Sequence, residues 1–310
     1  MLDVRKLRLL RELAHRGTIA AVADALTYTP SAVSQQLSAL EREAGVALLS
    51  RTGRRVELTA AGRLLVDHTE AVLVALERAE AELARARTEL LGVVRIGAFQ
   101  TALPTLVAPA LARLCAEHPG IEVRVLEIDP ADVVEAVRAG AVDVALTHDY
   151  DLIPTVDDPA IRTEPLHTET VYLATTGGAR MSLAFGDDRA AAEFATTNPV
   201  AALRNTPWIA ATPGTLCHTA TLRACAAAGF VPRIRHHTDD FATVLALVAA
   251  GAGVAIVPSL AVSTPPATVT LTPLPTRRYT RLAYRDGSES HPVLAATTAS
   301  LHLSAAAIPN

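Results

Sequence analysis

The sequence predicts a multidomain chain: a small N-terminal all-α module closed by a hairpin, one long linking helix, and a C-terminal α/β domain of two lobes. Three observations carry that prediction. Residues 4–44 hold three runs of helical periodicity, each with a recognisable stop; apolar residues recur every seven positions between 65 and 90; and from Val93 onward short strand-like runs alternate with helical ones. The chain has 310 residues, half of them hydrophobic, enough for two or three domains. Aromatics make up 4% and charged residues 19%, so the apolar content is aliphatic and excludes disorder as the main state. No run of about 18 apolar residues marks a membrane span, and Asp3, Arg5, Lys6 and Arg8 interrupt any export signal. A cytoplasmic protein with no membrane partner is expected. The three cysteines, Cys115, Cys217 and Cys225, cannot all pair, and reduced thiols are the expectation; Cys115, among Leu111, Ala112 and Leu114, reads as a small buried hydrophobe.

The elements follow in order. Val4, Leu7, Leu10, Leu13 and Ala14 fall at helical spacing, and Gly17 stops the pattern. Thr18 caps a short second helix, about Ile19 to Leu26, with Val22, Ala23 and Leu26 inward. Tyr28-Thr29-Pro30-Ser31 reads as a turn and cap, because proline is tolerated in a first helical turn. The third helix runs to about Ala44, where Gly45 ends it.

On that third helix Val33, Leu37 and Leu40 must face the first two. The opposite face is Ser31, Gln35 and Ser38, flanked by Ser34, with no acidic residue before Glu41. Small hydroxyls and an amide suit close approach to phosphates and base edges in a major groove; a plain solvated face is the competing reading. The next segment favours the first. Leu48 to Arg51 and Val56 to Leu58 are strand-like runs around Thr52-Gly53-Arg54-Arg55, a hairpin with a basic tip. Three helices and a basic hairpin make an N-terminal all-α winged helix-turn-helix, whose wing arginines reach DNA phosphates or the minor groove. The charge distribution agrees: residues 1–66 hold ten Lys or Arg against six Asp or Glu, 67–90 three against six, and 91–310 fifteen against twenty. A basic end on an acidic chain suits a polyanionic partner.

The run from Ile19 to Gly62 resembles the DNA-binding domain of LysR-type transcriptional regulators. The resemblance rests on Ala20-Ala21-Val22-Ala23, Pro30 to Leu37, Leu40-Glu41, Gly45-Val46, Leu48-Leu49, Arg51-Thr52-Gly53-Arg54 and Leu58-Thr59-Ala60-Ala61-Gly62. Candidate DNA-binding residues are Thr29, Pro30, Ser31, Ser34, Gln35, Gln36, Ser38, Arg54 and Arg55.

Thr59 to Leu90 reads as one helix, about 48 Å long at 1.5 Å per residue. Thr69, Leu76, Leu83 and Leu90 repeat every seven residues beside Leu65, Val72, Ala79 and Ala86, the pattern of a helix-pairing seam. The resemblance implies a dimerisation linker, with Leu65, Val72, Leu76, Leu83 and Leu90 as its candidate contacts.

Beyond it, strands at Val93–Gly97, Glu122–Ile128 and Val142–Thr147 alternate with helices at Leu103–Glu117 and Ala131–Ala139, which predicts a parallel sheet with crossovers. A second set follows: strands at Val171–Thr175, Trp208–Ala211, Ile234–Thr238 and Val254–Pro258, helices across Thr219–Gly229 and Asp240–Ala250. This order resembles the family's two-lobe α/β effector-binding domain, built like periplasmic solute-binding proteins. The resemblance implies hinge crossings near 162–170 and 267–274. The expected domains are residues 1–58, 59–90 and 91–310, with lobe I about 91–162 and 270–310 and lobe II about 163–269. No role is assigned to 186–199.

No Gly-x-Ser-x-Gly elbow, Walker loop or His-Glu-x-x-His occurs, and Gly251-Ala252-Gly253 precedes a strand, the wrong order for a dinucleotide fingerprint. Cys217-His218, Cys225 and His236-His237 lack the short spacing of a structural zinc site, so neither metal nor cofactor is expected. In two-lobe α/β modules ligands sit beyond the C-terminal strand ends. That rule selects Phe99, Gln100 and Thr101, then Thr147, His148 and Asp149, then Thr212, Gly214 and Thr215, and finally Asp239, Asp240 and Phe241. The threonines and Asp240 read equally as helix caps, a role compatible with binding an anion. No Arg or Lys lies in these loops, which favours a single carboxylate held by neutral donors. Phe99 and Phe241 would cover an apolar body. His148 and Asp149 either meet a polar or amino group or only begin a polar connection between lobes.

These readings predict a LysR-type regulator, not an enzyme, in which a small metabolite between the lobes alters how a homodimer or homotetramer holds double-stranded promoter DNA, with RNA polymerase a partner if it activates. The alternative, a solute-binding module for transport, lacks an export signal and leaves the basic N-terminus unexplained.

Overall fold

The structure, a computed structural model, describes the chain except for residues 53–54, 87–89, 154–157, 159, 177–197, 263 and 309–310; for 51, 52 and 55 it describes the backbone alone. It separates into two compact units, one built on Met1–Thr88 and the other on Glu89–Val137, Ala141–Tyr284 and Val293–Asn310.

In the first unit, α1 (Val4–Arg16), α2 (Ile19–Leu26) and α3 (Pro30–Ala44) are held by local caps. Thr18 and Thr29 each accept a hydrogen bond, from the Ala21 and Ala32 amides respectively, both at 3.2 Å. Gly17 and Gly45 close α1 and α3 at φ 73° and 70°. Leu7, Leu10, Leu13, Val22, Val33, Leu37 and Leu40 form the core. Strands β1 (Leu49–Thr52) and β2 (Arg55–Leu58) pair antiparallel, so the strands reach one residue nearer the tip than the sequence suggests and Leu48 is buried instead of paired. The Glu41 carboxylate anchors the hairpin to α3 by accepting the Leu48 and Leu49 amides at 2.9 and 3.0 Å. Thr59 donates to the Ala47 carbonyl at 2.8 Å and caps α4 (Ala60–Arg85). A Cβ at Gly62 would stand 2.2 Å from the Leu48 carbonyl oxygen, so only glycine lets α4 pass this close to the hairpin.

The linking helix is shorter than expected. It ends at Arg85, 26 residues or about 39 Å from its start. Leu90 lies beyond it and packs on the Val94 and Ile96 core of the second unit. Its path is set by Gly120, whose missing Cβ would lie 2.8 Å from the Leu90 carbonyl oxygen. The seven-residue row is also broken near its start: Thr69 is buried, and Leu65 packs on the core of its own unit.

The second unit is organised by one six-stranded sheet of order β4-β3-β5-β10-β6-β9. In chain order β3 (Gly92–Ala98), β4 (Ile121–Glu127) and β5 (Val144–Tyr150) are mutually parallel through β3, connected by a π-helical turn leading into α5 (Ala108–Glu117) and by α6 (Val133–Ala139). Strand β6 (Ile161–Thr176) and β10 (Val269–Arg285) are 16 and 17 residues long. The segment 162–170, expected as a hinge crossing, is strand; Glu164-Pro165 and Glu169 mask its extended character in the sequence. The other lobe adds β7 (Pro207–Ala210) parallel to β8 (Arg233–His237), with α7 (Leu216–Ala227), α8 (Phe241–Ala249) and β9 (Ala255–Pro258). Its core is centred on the fully buried Trp208, whose indole donates to the Leu203 carbonyl at 3.2 Å.

Helix α9 (Pro292–Ala306) is not foreseen from the sequence. It packs Val293, Leu294 and Leu301 on the core of Ile96 and Leu106, while its buried Thr297 and Ser300 donate to the Val293 and Ala110 carbonyls, at 2.7 and 2.8 Å. Hydroxyls satisfied in this way blur the apolar period. Cys115 corrects another expectation: it is exposed, because Leu114 takes the inward position on α5. Among the described residues no helix is long and apolar enough to cross a membrane. The 186–199 segment lies, up to 197, outside the described residues.

Candidate functional site

Two sites follow from the fold. On α3 the burial of Val33, Leu37 and Leu40 turns Ser31, Gln35, Gln36 and Ser38 to solvent, with Ser34 half-buried beside them. Pro30 occupies the first turn, and Thr29 and Ser31 share a hydroxyl contact of 3.0 Å at the helix start. The amides of that turn and these short polar side chains form one exposed face. Arg54 lies outside the described residues, and Arg55 is placed only as a residue of β2 facing Thr52.

The second site is a cavity of about 320 Å³ beyond the C-terminal ends of β3, β4 and β5 and at the starts of α7 and α8. From one lobe come Phe99, Gln100, Thr101 and His148; from the other, Thr215, Asp239, Asp240 and Phe241. The lobes touch across its mouth, where the Gln100 amide nitrogen donates to Asp240 at 3.2 Å. Thr215 and Asp240 cap α7 and α8, accepting from the His218 and Thr243 amides at 3.2 and 3.0 Å.

Thr147, Asp149, Thr212 and Gly214 are not part of the lining. Side chains alternate along β5, so turning His148 inward turns Thr147 and Asp149 to the other face, where Asp149 pairs with Arg281 at 2.9 Å. Thr212 stands behind the wall and holds Asp239, donating from its amide and hydroxyl at 2.8 and 2.6 Å. Gly214, at φ 99°, shapes the turn before α7.

Arg278 corrects the expectation of a cavity free of cationic side chains. It enters from β10, far along the chain from the loops, and is fully buried at the cavity floor. Its guanidinium donates to Glu169 at 2.7 Å and to the Thr101 hydroxyl at 3.0 Å, and lies 5.0 Å from the centre of the Phe99 ring. Glu169 in turn accepts the Leu260 amide at 2.7 Å, so the buried pair is well satisfied. Sequence reasoning also missed Glu127, Asp129 and Cys217. Applying the strand-end rule to β4 as well would have found the first two; no local signal marks Arg278.

His148 meets the Phe99 and Tyr150 rings edge-on, at 4.7 and 5.5 Å. Burial, with Arg278 adding to it, holds its imidazole well below the ordinary range and hence neutral. Burial also raises the Cys217 thiol, against the pull of Arg278, and Tyr150 approaches its sulfur at 3.4 Å. Among the described residues no three His, Cys, Asp or Glu side chains gather as a metal site.

Comparison with known proteins agrees with this layout. Residues 4–63 match the family described as "Bacterial regulatory helix-turn-helix protein, lysR family", and residues 87–304 match "LysR substrate binding domain". The HTH-type transcriptional regulator ShiR of Corynebacterium glutamicum is 31% identical, covering 76% of this chain and 79% of the relative. A probable hydrogen peroxide-inducible genes activator of Mycobacterium xenopi is 33% identical over 57% of this chain and 90% of its own length. Among solved structures, a point variant of full-length OxyR from Pseudomonas aeruginosa superposes with a TM-score of 0.61 at 20% identity, over 98% of this chain and 95% of that one. At that identity it speaks for the fold.

Proposed function

The chain belongs to the LysR family of DNA-binding transcriptional regulators, with both its helix-turn-helix and its substrate-binding domain, and we propose that a small metabolite in the cavity above Arg278 governs how it holds promoter DNA. It is a regulator and not an enzyme. In this reading residues 1–58 contact double-stranded DNA, 91–310 bind the effector, and a homodimer or homotetramer forms through the exposed part of α4. The protein acts in the cytoplasm, meeting RNA polymerase where it activates.

The observation that carries the effector reading is the lining itself: two phenylalanines, a neutral histidine and convergent polar groups from both lobes enclose one small space. A carboxylate end would rest on Thr101 and the capped starts of α7 and α8. On the DNA side, Gln35 reads bases with Thr29, Pro30, Ser31, Ser34, Gln36 and Ser38 around it, and Arg54 and Arg55 bind phosphates. Gln35→Ala should therefore reorder the affinities of mutated operator sites, whereas Arg55→Ala should weaken all sites alike and reduce the salt slope by about one unit. Anisotropy titrations against a set of operator variants test this, and an unchanged ranking with Gln35→Ala refutes base reading.

A second reading has one observation in its favour: Cys217 lies in the cavity, and relatives carry a peroxide-inducible name. The thiolate is the reactive form, yet burial raises Cys217 and pushes Cys225 up to about 12. Eight residues of α7 also separate them by about 12 Å of helix, beyond disulfide reach. Peroxide should accordingly alter DNA binding no more in the wild type than in Cys217→Ser.

A further inference from the structure

The cavity holds more negative charge than an effector charged only by carboxylates would tolerate. Glu127 and Asp129 enter it from one lobe and Asp239 and Asp240 from the other, and among the described residues none of the four forms an ion pair. Arg278 is the one cation of the lining among those residues, and Glu169 already meets its charge at 2.7 Å. A ligand therefore faces a field that is negative on both walls. An isolated carboxylate entering it is opposed by each of the four; a protonated amine is drawn in by each.

An independent feature marks the same cavity as a place for a polar ligand. His148, 4% exposed, lines the cavity, and its Nδ1 has no hydrogen-bond partner among the described residues, while Nε2 faces the Cys217 sulfur at 4.0 Å. Whichever ring nitrogen carries the proton of the neutral imidazole, Nδ1 is a buried polar atom in want of a partner, a state that native proteins rarely leave unrelieved. A polar ligand group that reaches it would relieve it. A bare metal ion fits less well, because the acidic groups do not converge on a point.

We propose that the effector carries a protonated amine, as an amino acid or an organic amine does, with its ammonium group held among Glu127, Asp129, Asp239 and Asp240. This rests on the cavity being the effector site, and the test separates the two claims. Thermal denaturation of the full chain is followed with lysine, 4-aminobutanoate and putrescine, and with glutarate and succinate as amine-free counterparts. At least one amine should raise Tm and neither dicarboxylate should. In Glu127→Gln combined with Asp129→Asn, which keeps the Ala131 amide's acceptor, affinity for that amine should fall about tenfold or more. Stabilisation by the dicarboxylates alone, by none of the amines, or to the same degree in the double variant overturns the proposal. Gln100→Trp, which fills the mouth, marks the other failure: amine shifts that survive it place the site elsewhere, whereas shifts abolished by it but untouched by the double variant leave the cavity as the site and remove only the charge argument.

Discussion

Arg278 and Glu169 are both almost fully buried, and each is the other's compensation. Removing one leaves a lone charge in a dry site, which costs about 3–5 kcal/mol. Glu169→Gln should lower Tm by roughly 10 °C at about 2–4 °C per kcal/mol, and adding Arg278→Met should recover much of it; a differential scan of the three proteins checks both. His148 makes a pH prediction. Its folded-state pKa is depressed, first by burial and then by Arg278, so below about pH 6.5 the unfolded chain takes up a proton that the folded one refuses. Its contribution is intact above that pH and is lost as pH falls toward the folded value. His148→Phe should thus lose less Tm than the wild type between pH 7 and pH 5. Neither residue's partner was legible in the sequence. His148 could be selected because a strand end announces itself locally, but Arg278 meets Thr101 across 177 positions, and only the sheet order brings β10 to that spot.

Caps and stops made the first three helices readable almost to the residue, since threonine, proline and glycine act on the backbone next to them. α4 shows the converse. Nothing between Arg85 and Leu90 is a helix breaker, so the sequence extends the helix; the structure ends it because Leu90 is drawn into a core where Gly120 has made room. What remains for pairing is the outer part, with Leu83 72% exposed, Val72 also exposed and Leu76 half-buried. Leu76→Arg with Leu83→Arg should place two charges in any apolar seam built there and dissociate the oligomer. Light scattering should record the smaller mass and DNA titration a weaker complex; an unchanged mass excludes this stretch as the main interface.

Across the whole molecule the two units have separate hydrophobic cores. Calorimetry should resolve two unfolding transitions, with operator DNA raising chiefly one and a cavity ligand chiefly the other, since each ligand stabilises most the unit it binds. One merged transition raised equally by both would refute that independence. The alternation of strands and helices was enough to read the class of the second unit, because βα units repeat a local pattern. The long strands that join its lobes escaped, since proline and acidic residues interrupt their apolar signal.

Those two strands have a mechanical consequence. β6 and β10 lie side by side in the sheet, and Glu169 and Arg278 clasp one another from them. Sliding one strand past the other by a single residue would throw its own member of the pair to the opposite face and strip a buried charge of its mate. Shear is thereby forbidden. Torsion is not, because a strand pair changes its twist without breaking a rung of hydrogen bonds. A ligand bridging the two lobes would then act on them as a wringing motion about this pair, with the cavity as its handle.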